Sequence, residues 1–370
     1  MSTKIIALYL PQFHCIPEND EFWGKGFTDW VTVRKAKPLF EGHQQPRLPL
    51  NNNYYDLSLK ENVEWQSDLA YKHNIYGFGV YHYWFNNEKN LLTKPAEIMR
   101  DDENIKTNYF FIWDNSNWKR SWSNVPGNAW APAVDGENKQ GPQILIPYIL
   151  GEEKDWENHY RYVSTHFKSK RYIKIDNKPV FGIFGYSKEI MRMCDYWEKL
   201  AKSEGYEGVH FVFHNPRTNI LPDNVFRYNY EPHSSGWQTP LSYFDRILLR
   251  LHLKSLDFQG VLFYDYDELW KNLIKHAKDH SEKRLYHGAF VSYDDSPRRG
   301  EKKSIIVKGA TPNKFEHYLS ELIKISEAQH KDFIFLTAWN EWGEGAFLEP
   351  DETHKLDYLQ AISNAIKHLS

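Results

Sequence analysis

The feature that most constrains the fold is a regular alternation of short apolar runs with longer amphipathic segments. The apolar runs are rich in β-branched and aromatic residues, which is typical of strands buried on both faces. Apolar residues three and four apart in the longer segments predict helices. The predicted strands cover 5–10, 75–85, 109–113, 172–184 (as a pair), 209–213, 226–230, 288–293 and 333–338. The predicted helices cover 58–73, 94–100, 152–168, 187–204, 266–280, 312–328 and 355–369.

This alternation predicts a parallel sheet with helical crossovers. Polar and aromatic clusters follow the C-terminal ends of successive strands, where (β/α)₈ enzymes carry their catalytic groups. The main competitor is a doubly wound open sheet, but no glycine-rich fingerprint follows the first strand. We therefore predict an α/β fold, a (β/α)₈ TIM barrel with long βα loops. No Pro/Gly/Ser-rich linker divides the 370 residues, so residues 1–370 are interpreted as one domain.

Aromatic residues make up 16% of the chain and include 14 Trp and 24 Tyr. Such an excess suits a carbohydrate cleft, because ring faces pack on the apolar faces of sugars. The alternative is that the rings fill the core, and about half of them are expected to do so. The long loop after the first strand is rich in tryptophan. We expect its residues 17–49 to be ordered and to wall one side of the cleft.

Charge and cysteine content exclude several classes of protein. A net charge of −3 provides no field that attracts nucleic acid or an anionic membrane. The two cysteines, Cys15 and Cys194, form neither a disulfide framework nor a zinc motif. The first residues lack a signal-peptide pattern, and no stretch reaches the roughly 18 apolar residues needed to span a bilayer. We expect a cytoplasmic protein with no cofactor and no membrane insertion.

The last predicted strand runs directly into the sequence NEWGEG at 340–345. Glu341 and Glu344 lie here among two tryptophans, Trp339 and Trp342. Burial beside apolar rings raises the pKa of a carboxyl group toward that of a general acid. The alternative is a solvated loop with two surface glutamates. The flanking tryptophans favour a catalytic pair.

Four histidines each follow a predicted strand: His14, His82, His214 and His233. A metal centre would need three or four of them to converge, and no two of these four stand at a His-x-x-x-His spacing on a helix. We therefore predict no metal site. His14 and His82 are expected to hydrogen-bond sugar hydroxyls, and the other two to be structural.

Other candidate sugar-binding residues are aromatic or lie beside the glutamates. Arg298, next to Asp294, either binds an anionic sugar or phosphate group or belongs to a local ion-pair network. The aromatic candidates form sugar platforms or belong to the core; they are Tyr9, Tyr81, Trp84, Trp113 and Trp118. The remaining predicted substrate-binding residues are Asp114, Asn117, Tyr230, Asn340 and Trp342.

Four blocks together resemble the WbsX-type, glycoside hydrolase family 99-like proteins. They are YLPQFHCIPENDEFWGKGFTDWVTVRKAKPLFEGHQQPRLP (9–49), YHYWF (81–85), DDSPRRG (294–300) and AWNEWGEGAFLEPD (338–351). The resemblance implies a (β/α)₈ barrel without metal. Proteins of this group are found with polysaccharide biosynthesis genes, such as those for O-antigen or capsule, and are often labelled as glycosyltransferases. The resemblance therefore also implies a role in polysaccharide metabolism. Family 99 proper consists of retaining endo-α-mannosidases.

Residues 340–345 match the Asn-Glu-Trp-x-Glu-Gly motif of family 99. The resemblance implies that Glu344 is the general acid/base and that Glu341 deprotonates the sugar 2-hydroxyl, which attacks C1 to form a 1,2-anhydro sugar. This differs from the usual retaining route through an enzyme nucleophile. The chain departs from WbsX-type proteins at 113–118, where Ser116 replaces the glutamate of Trp-Ala-Asn-Glu-Asn-Trp. Asp114, two positions earlier, keeps the same face of a strand and could compensate.

Three classes of function remain open. The first is a retaining glycosidase that cleaves an oligosaccharide or polysaccharide at a mannoside-like α-linkage. The second is a glycosyltransferase, although no glycine-rich loop indicates a site for a nucleotide sugar. The third is a non-catalytic glycan-binding barrel, which the intact Glu341 and Glu344 disfavour. In the first class, the two glutamates are expected to share a cleft with His82 and Trp113.

Overall fold

The computed structural model describes residues 2–119, 144–215, 225–238, 261–300 and 304–367, and these form a closed barrel of eight parallel strands. Each strand pairs with the next one along the chain. The first strand also pairs with the last, Lys4 opposite Phe333, which closes the sheet and confirms the predicted TIM barrel. The strands are β1 (Lys4–Tyr9), β2 (Gly77–Asn86), β3 (Asn108–Trp113), β4 (Lys178–Ile183), β5 (His210–His214), β6 (Phe226–Tyr228), β7 (Leu285–Phe290) and β8 (Phe333–Thr337).

Helices cover the outside of the barrel and also occur in its loops. In the described ranges they are α1 (Pro17–Trp23), α2 (Asp29–Lys35), α3 (Lys60–Lys72), α4 (Lys94–Asp101), α5 (Glu153–Phe167), α6 (Lys188–Ser203), α7 (Tyr266–Asp279), α8 (Ser296–Arg299), α9 (Pro312–Ala328) and α10 (Asp357–Lys367). The predicted long loop after β1 therefore contains two short helices. Several helix starts follow from capping residues. The side chain of Thr311 accepts a hydrogen bond from the backbone N–H of Lys314, and Pro312 occupies the first turn of α9.

Short strands and 3₁₀ turns lie outside the barrel sheet or pair with the ends of its strands. The strands are Lys89–Leu91, Trp118–Lys119, Ile144–Ile146, Lys174–Ile175, Leu262–Asp265, Ile305–Lys308, Asn340–Glu341 and Ala346–Phe347; the 3₁₀ turns are Leu50–Asn52, Gly236–Gln238 and Trp342–Glu344. β7 ends before the predicted residue 293, because the chain there turns to follow the loop after β8. The backbone N–H of Asp294 donates to the carbonyl of Glu344 at 2.7 Å.

Side chains on the barrel strands alternate between the interior and the helix layer. Gly79 and Gly182 leave space for Ile112 in the interior, since a Cβ atom on either glycine would lie under 3 Å from an Ile112 side-chain atom. Phe335 stacks on Tyr228, with 4.4 Å between ring centroids. The interior is therefore filled by side chains, and a cleft opens toward the C-terminal ends of the strands.

Candidate active site

The loop after β8 carries both predicted catalytic glutamates in a tight turn. Asn340 and Glu341 pair in antiparallel fashion with Phe347 and Ala346, and a 3₁₀ turn joins the two arms. Gly345 ends this turn at φ +58°, a backbone conformation that favours glycine. The turn thus directs Glu341 and Glu344 to the same side of the loop.

A cleft of about 180 Å³ opens in front of the two glutamates at the C-terminal end of the barrel. Its walls come from the ends of β1, β2, β3 and β4 and from the loops after β7 and β8. This is where parallel barrels carry their active sites. The lining residues are Leu10, Gln12, Tyr81, Tyr83, Asp114, Phe184, Arg298, Glu341 and Glu344.

Arg298, in α8, joins the two glutamates through one guanidinium group. Its Nη2 lies 2.5 Å from Glu341 Oε1, and its Nη1 lies 2.7 Å from Glu344 Oε1. Nη2 also lies 3.1 Å from Oδ2 of Asp29, in α2. The planar fork of arginine suits such multiple contacts. Gly343 makes the approach possible, because a Cβ atom there would lie 2.6 Å from Arg298 Nε. Arg298 therefore belongs to an ion-pair network with the glutamates, one of its two predicted roles.

The protonation of Glu341 is set by opposing influences. Burial raises its pKa to about 8, the Arg298 guanidinium lowers it, and the charges of Glu344 and Asp29 raise it. For Arg298, burial acts to lower the pKa, but the three carboxylates together hold it above the ordinary arginine value. A carboxyl group with a pKa near neutrality can both take up and release a proton at working pH, as a general acid or base must.

The opposite wall of the cleft consists of phenol and carboxyl groups. Burial raises the pKa of Asp114, and the Ser116 hydroxyl, which donates to Asp114 Oδ1 at 2.6 Å, acts to lower it. Tyr83 accepts a hydrogen bond from Gln12 Nε2 at 3.1 Å. Tyr230 lies near the glutamates: burial raises its pKa first, and the charges of Glu344 and Glu341 raise it further. These groups are suited to hydrogen bonds with sugar hydroxyls.

Three of the residues predicted to bind substrate face the helix layer instead of the cleft. His82 shares a 2.9 Å hydrogen bond with His159 of α5 and stacks on Phe111. Trp84 stacks on His159 at 4.6 Å, and Trp113 donates its indole N–H to the backbone carbonyl of Trp84. The expectation that His82 and Trp113 share the cleft with the glutamates is therefore wrong. Side chains of a strand alternate between its two faces, so Tyr81 and Tyr83 point inward whereas His82 and Trp84 point outward.

Four more predicted residues lie away from the cleft. The Tyr9 hydroxyl donates to Gln66 Oε1 of α3 at 2.6 Å, so its ring lies outside the barrel interior. His14 is buried, and burial lowers its pKa. Asn117 Oδ1 accepts from the backbone N–H of Tyr148 at 2.6 Å, which orders the neighbouring chain. Trp118 packs edge-on against Tyr83 and Phe85 and thus lies behind the cleft wall.

The last three predicted residues support the site from behind. Asn340 makes two hydrogen bonds to the backbone of Leu10, which tie the end of β1 to the glutamate loop. Trp342 stacks on Phe347 with 3.7 Å between ring centroids. Asp294 accepts hydrogen bonds from His43 and Gln45, each at 2.8 Å, and so holds the loop after β1. None of these three side chains lines the cleft.

The segment 17–49 contains the helices α1 and α2 and lies at the same end of the barrel as the cleft. It contacts the site through Asp29, which pairs with Arg298, and through Trp30, whose ring centroid lies 5.3 Å from that of Trp342. On the side of β1, the described cleft wall is formed by Leu10 and Gln12, which precede this segment. The segment therefore braces the site from behind instead of lining it.

Sequence reasoning missed Leu10, Gln12, Tyr83 and Phe184 in the cleft wall, and Asp29 and Gly343 behind it. The period-two alternation that starts from Tyr81 would have indicated Tyr83. Nothing in the sequence singles out Asp29, because its partner Arg298 is 269 positions away. Across the described ranges, no group of three or more His, Cys, Asp or Glu side chains is arranged to hold a metal ion. No helix in those ranges is long and apolar enough to cross a bilayer.

The barrel has counterparts among solved glycosidases. A structure titled "Glycoside hydrolase-like protein" superposes with a TM-score of 0.58 at 11% identity and covers 99% of this chain and 94% of that one. The GH99 endo-alpha-mannosidase from Bacteroides thetaiotaomicron superposes with a TM-score of 0.50 at 12% identity, over 99% and 96% of the two chains. The fold is thus the TIM barrel of the glycoside hydrolases, including family 99.

The family described as "Glycosyltransferase WbsX" matches residues 5–362, and the chain belongs to this family. Two curated relatives, each called "Uncharacterized protein WxcX", come from strains of Xanthomonas campestris pv. campestris. Each is 30% identical over 376 residues, covering 99% of this chain. The chain spans about half the length of these relatives. The resemblance to WbsX-type, family 99-like proteins is confirmed.

Proposed function

We propose that this chain is a retaining glycoside hydrolase-like enzyme that cleaves an α-linked, mannoside-like bond within a glycan. The observation that carries the proposal is the convergence of Glu341 and Glu344 on one cleft, where Arg298 contacts both. Glu344 is the proposed general acid/base and Glu341 the proposed base for the sugar 2-hydroxyl. The pKa of Glu341, raised to about 8 by burial, suits a group that holds a proton between two steps.

In the first proposed step, Glu341 removes the proton of the 2-hydroxyl and the resulting oxygen attacks C1. The bond from C1 to the leaving glycosidic oxygen breaks, and Glu344 protonates that oxygen. In the second step, Glu344 deprotonates a water molecule, which attacks C1 from the opposite side. The bond between C1 and O2 breaks, and Glu341 returns its proton to O2. Two inversions at C1 give net retention.

The other polar groups of the cleft have proposed roles in orienting the sugar. Asp114 and the phenols of Tyr81 and Tyr83 line the cleft and can accept or donate hydrogen bonds to hydroxyls around the ring, and the phenol of Tyr230 lies near the two glutamates. Asp114, oriented by Ser116, supplies a carboxylate on the strand that carries a glutamate in WbsX-type proteins. We propose that it takes over that glutamate's contact with substrate.

The glycan is proposed to be a bacterial surface polysaccharide such as O-antigen or capsule, an assignment that rests on the WbsX family alone. A second candidate reaction is glycosyl transfer, which the family's description favours. A nucleotide-sugar donor carries two phosphates, which proteins bind with free cationic groups. Within the described part of the cleft wall, Arg298 is the cation, and three carboxylates already engage it. This charge distribution favours hydrolysis.

The test is incubation of the purified chain with the producer's own polysaccharide and with α-mannan, without any nucleotide sugar. New reducing ends are measured, and the anomeric configuration of the first product is read by NMR. Retained-configuration fragments from the wild type, absent with Glu341→Gln and Glu344→Gln, are expected. Transfer only with an added nucleotide sugar would select the second candidate. Binding without turnover in either condition would select a non-catalytic glycan-binding barrel.

A further inference from the structure

Glu349 is a buried carboxyl group that the proposed mechanism does not use. It lies just after the glutamate loop and is 3% exposed. Its Oε2 accepts hydrogen bonds from the Tyr55 hydroxyl at 2.6 Å and from the Trp342 indole N–H at 2.7 Å. Its Oε1 accepts from Gln66 Nε2 at 2.7 Å. A buried carboxyl is costly unless its oxygens are satisfied, and here the partners are all uncharged donors.

These donors connect Glu349 to both chain neighbours of Glu341. Trp342 follows Glu341 and donates directly to Glu349. Asn340 precedes Glu341, and its Nδ2 lies 3.4 Å from the Tyr55 hydroxyl, which in turn donates to Glu349. The backbone N–H of Glu349 also donates to the carbonyl of Trp339 at 3.2 Å. One carboxylate thus connects to the residues before and after the proposed catalytic base.

The arrangement requires a carboxylate in place of an amide. Three donors converge on two oxygens, and a glutamine would offer one acceptor oxygen and point its own N–H₂ at a donor. Gln66 cannot reverse its amide without disrupting a second contact, because its Oε1 accepts the Tyr9 hydroxyl at 2.6 Å. Burial raises the pKa of Glu349 to about 7, and the hydrogen bonds from its donors act to lower it.

We propose that Glu349 is a positioning residue that fixes Asn340 and Trp342 and thereby holds the Glu341 carboxylate against Arg298 in the cleft. The inference rests on the proposed role of Glu341. Glu349 does not line the cleft itself and acts through its neighbours. Displacing a catalytic group by about 1 Å costs on the order of a hundredfold in rate, so loss of this support should affect turnover more than substrate binding.

The test compares Glu349→Gln with the wild type and with Glu352→Gln, an exposed carboxylate of the same segment whose Oε1 accepts from the backbone N–H of Asn51. Glu349→Gln is expected to lower kcat about ten- to hundredfold with KM within about twofold, whereas Glu352→Gln changes neither. Tyr55→Phe removes one donor to Glu349 and with it the link to Asn340, whereas Trp342 and Gln66 still donate, so a smaller fall is expected. If Glu349→Gln does not fold, the kcat of Tyr55→Phe is measured in its place.

Two measurements need no substrate. The indole N–H resonance of Trp342, assigned with Trp342→Phe, should shift in Glu349→Gln and not in Glu352→Gln. A crystal structure of Glu349→Gln should show the Glu341–Arg298 contact lengthened. An unchanged resonance and contact would overturn the inference even if the glycan assay fails for the wild type, a failure that bears on the proposed function alone. Unchanged kcat in folded Glu349→Gln and Tyr55→Phe, with an active wild type, would also overturn it.

Discussion

Replacing Arg298 by glutamine is expected to destabilise the folded chain by about 3–5 kcal/mol, because the change leaves buried carboxylates without their cation. The side chains of Asp29 and Glu341 are each 6% exposed, so water cannot replace the guanidinium. At about 2.1 cal/mol/K of unfolding entropy per residue, 370 residues give about 0.8 kcal/mol/K. The loss therefore corresponds to a Tm lowered by about 4–6 °C.

The loss of stability in Arg298→Gln should depend on pH in a defined direction. Arg298 lowers the pKa of Glu341, so without it that pKa rises above the present value of about 8. A folded-state pKa above the ordinary 4.5 means that the folded form binds the proton more tightly than the unfolded chain. Stability then falls as pH rises from 4.5 toward and past 8. Below pH 8 both folded forms keep the Glu341 proton, so the Tm difference between wild type and variant should be constant from pH 5 to 7. It should widen above pH 8, where the wild type releases this proton and the variant still holds it.

The assay is thermal unfolding followed by circular dichroism at pH 5, 7 and 9.5. The matched control is Arg161→Gln, which breaks an exposed ion pair with Glu157 one helical turn away. Such pairs contribute about 0.3–0.5 kcal/mol, so its Tm should change by less than about 1 °C. A loss in Arg298→Gln no larger than in this control, or one that does not widen between pH 7 and pH 9.5, would refute the ion-pair reasoning.

Three further predictions concern the two glutamates, Asp114 and Trp113. Glu344→Gln should lower cleavage of unactivated glycans by about 10²–10⁴-fold and recover partly on substrates whose leaving group needs no protonation. Glu341→Gln should not recover, and 2-deoxy substrates should be inert to the wild type; equal recovery of both variants, or turnover of a 2-deoxy substrate, contradicts the 1,2-anhydro route. Asp114→Asn should keep the fold and lower kcat/KM by about tenfold, measured by steady-state kinetics; an unchanged value would exclude its contact with substrate. Trp113→Ala should lower the free energy of unfolding by about 3–5 kcal/mol in urea titrations. A variant with full stability that no longer binds glycan would indicate that Trp113 lines the cleft after all.

The fold was predictable because its signals are local. The apolar run of β8 and the Thr311-Pro312 start of α9 are each visible within a few residues, and their alternation along the chain indicates the barrel. The bounds of β7 were less predictable. Val291 and Tyr293 are as buried as the strand before them, but the chain there leaves the sheet to follow the glutamate loop. Burial alone does not distinguish a barrel strand from a buried loop that leaves the sheet.

The glutamate pair was predictable for the same reason, since Glu341 and Glu344 are three positions apart in one turn. The sugar-binding set was not. In YHYWF the residues that line the cleft are Tyr81 and Tyr83, and an assignment one residue out of phase selects His82 and Trp84. An aromatic residue at a strand end is equally compatible with either face, so composition could not decide between them.

The barrel and its paired carboxylates could be predicted from the sequence, because both follow from patterns that span a few neighbouring residues. Which side chains meet at the site depends on how the whole chain folds. Closure of the sheet sets the face on which each strand residue lies. The same closure brings Asp29, Arg298 and Glu341 together from three distant loops. Contacts of this kind depend on how the whole chain is arranged in space, and no local pattern encodes them.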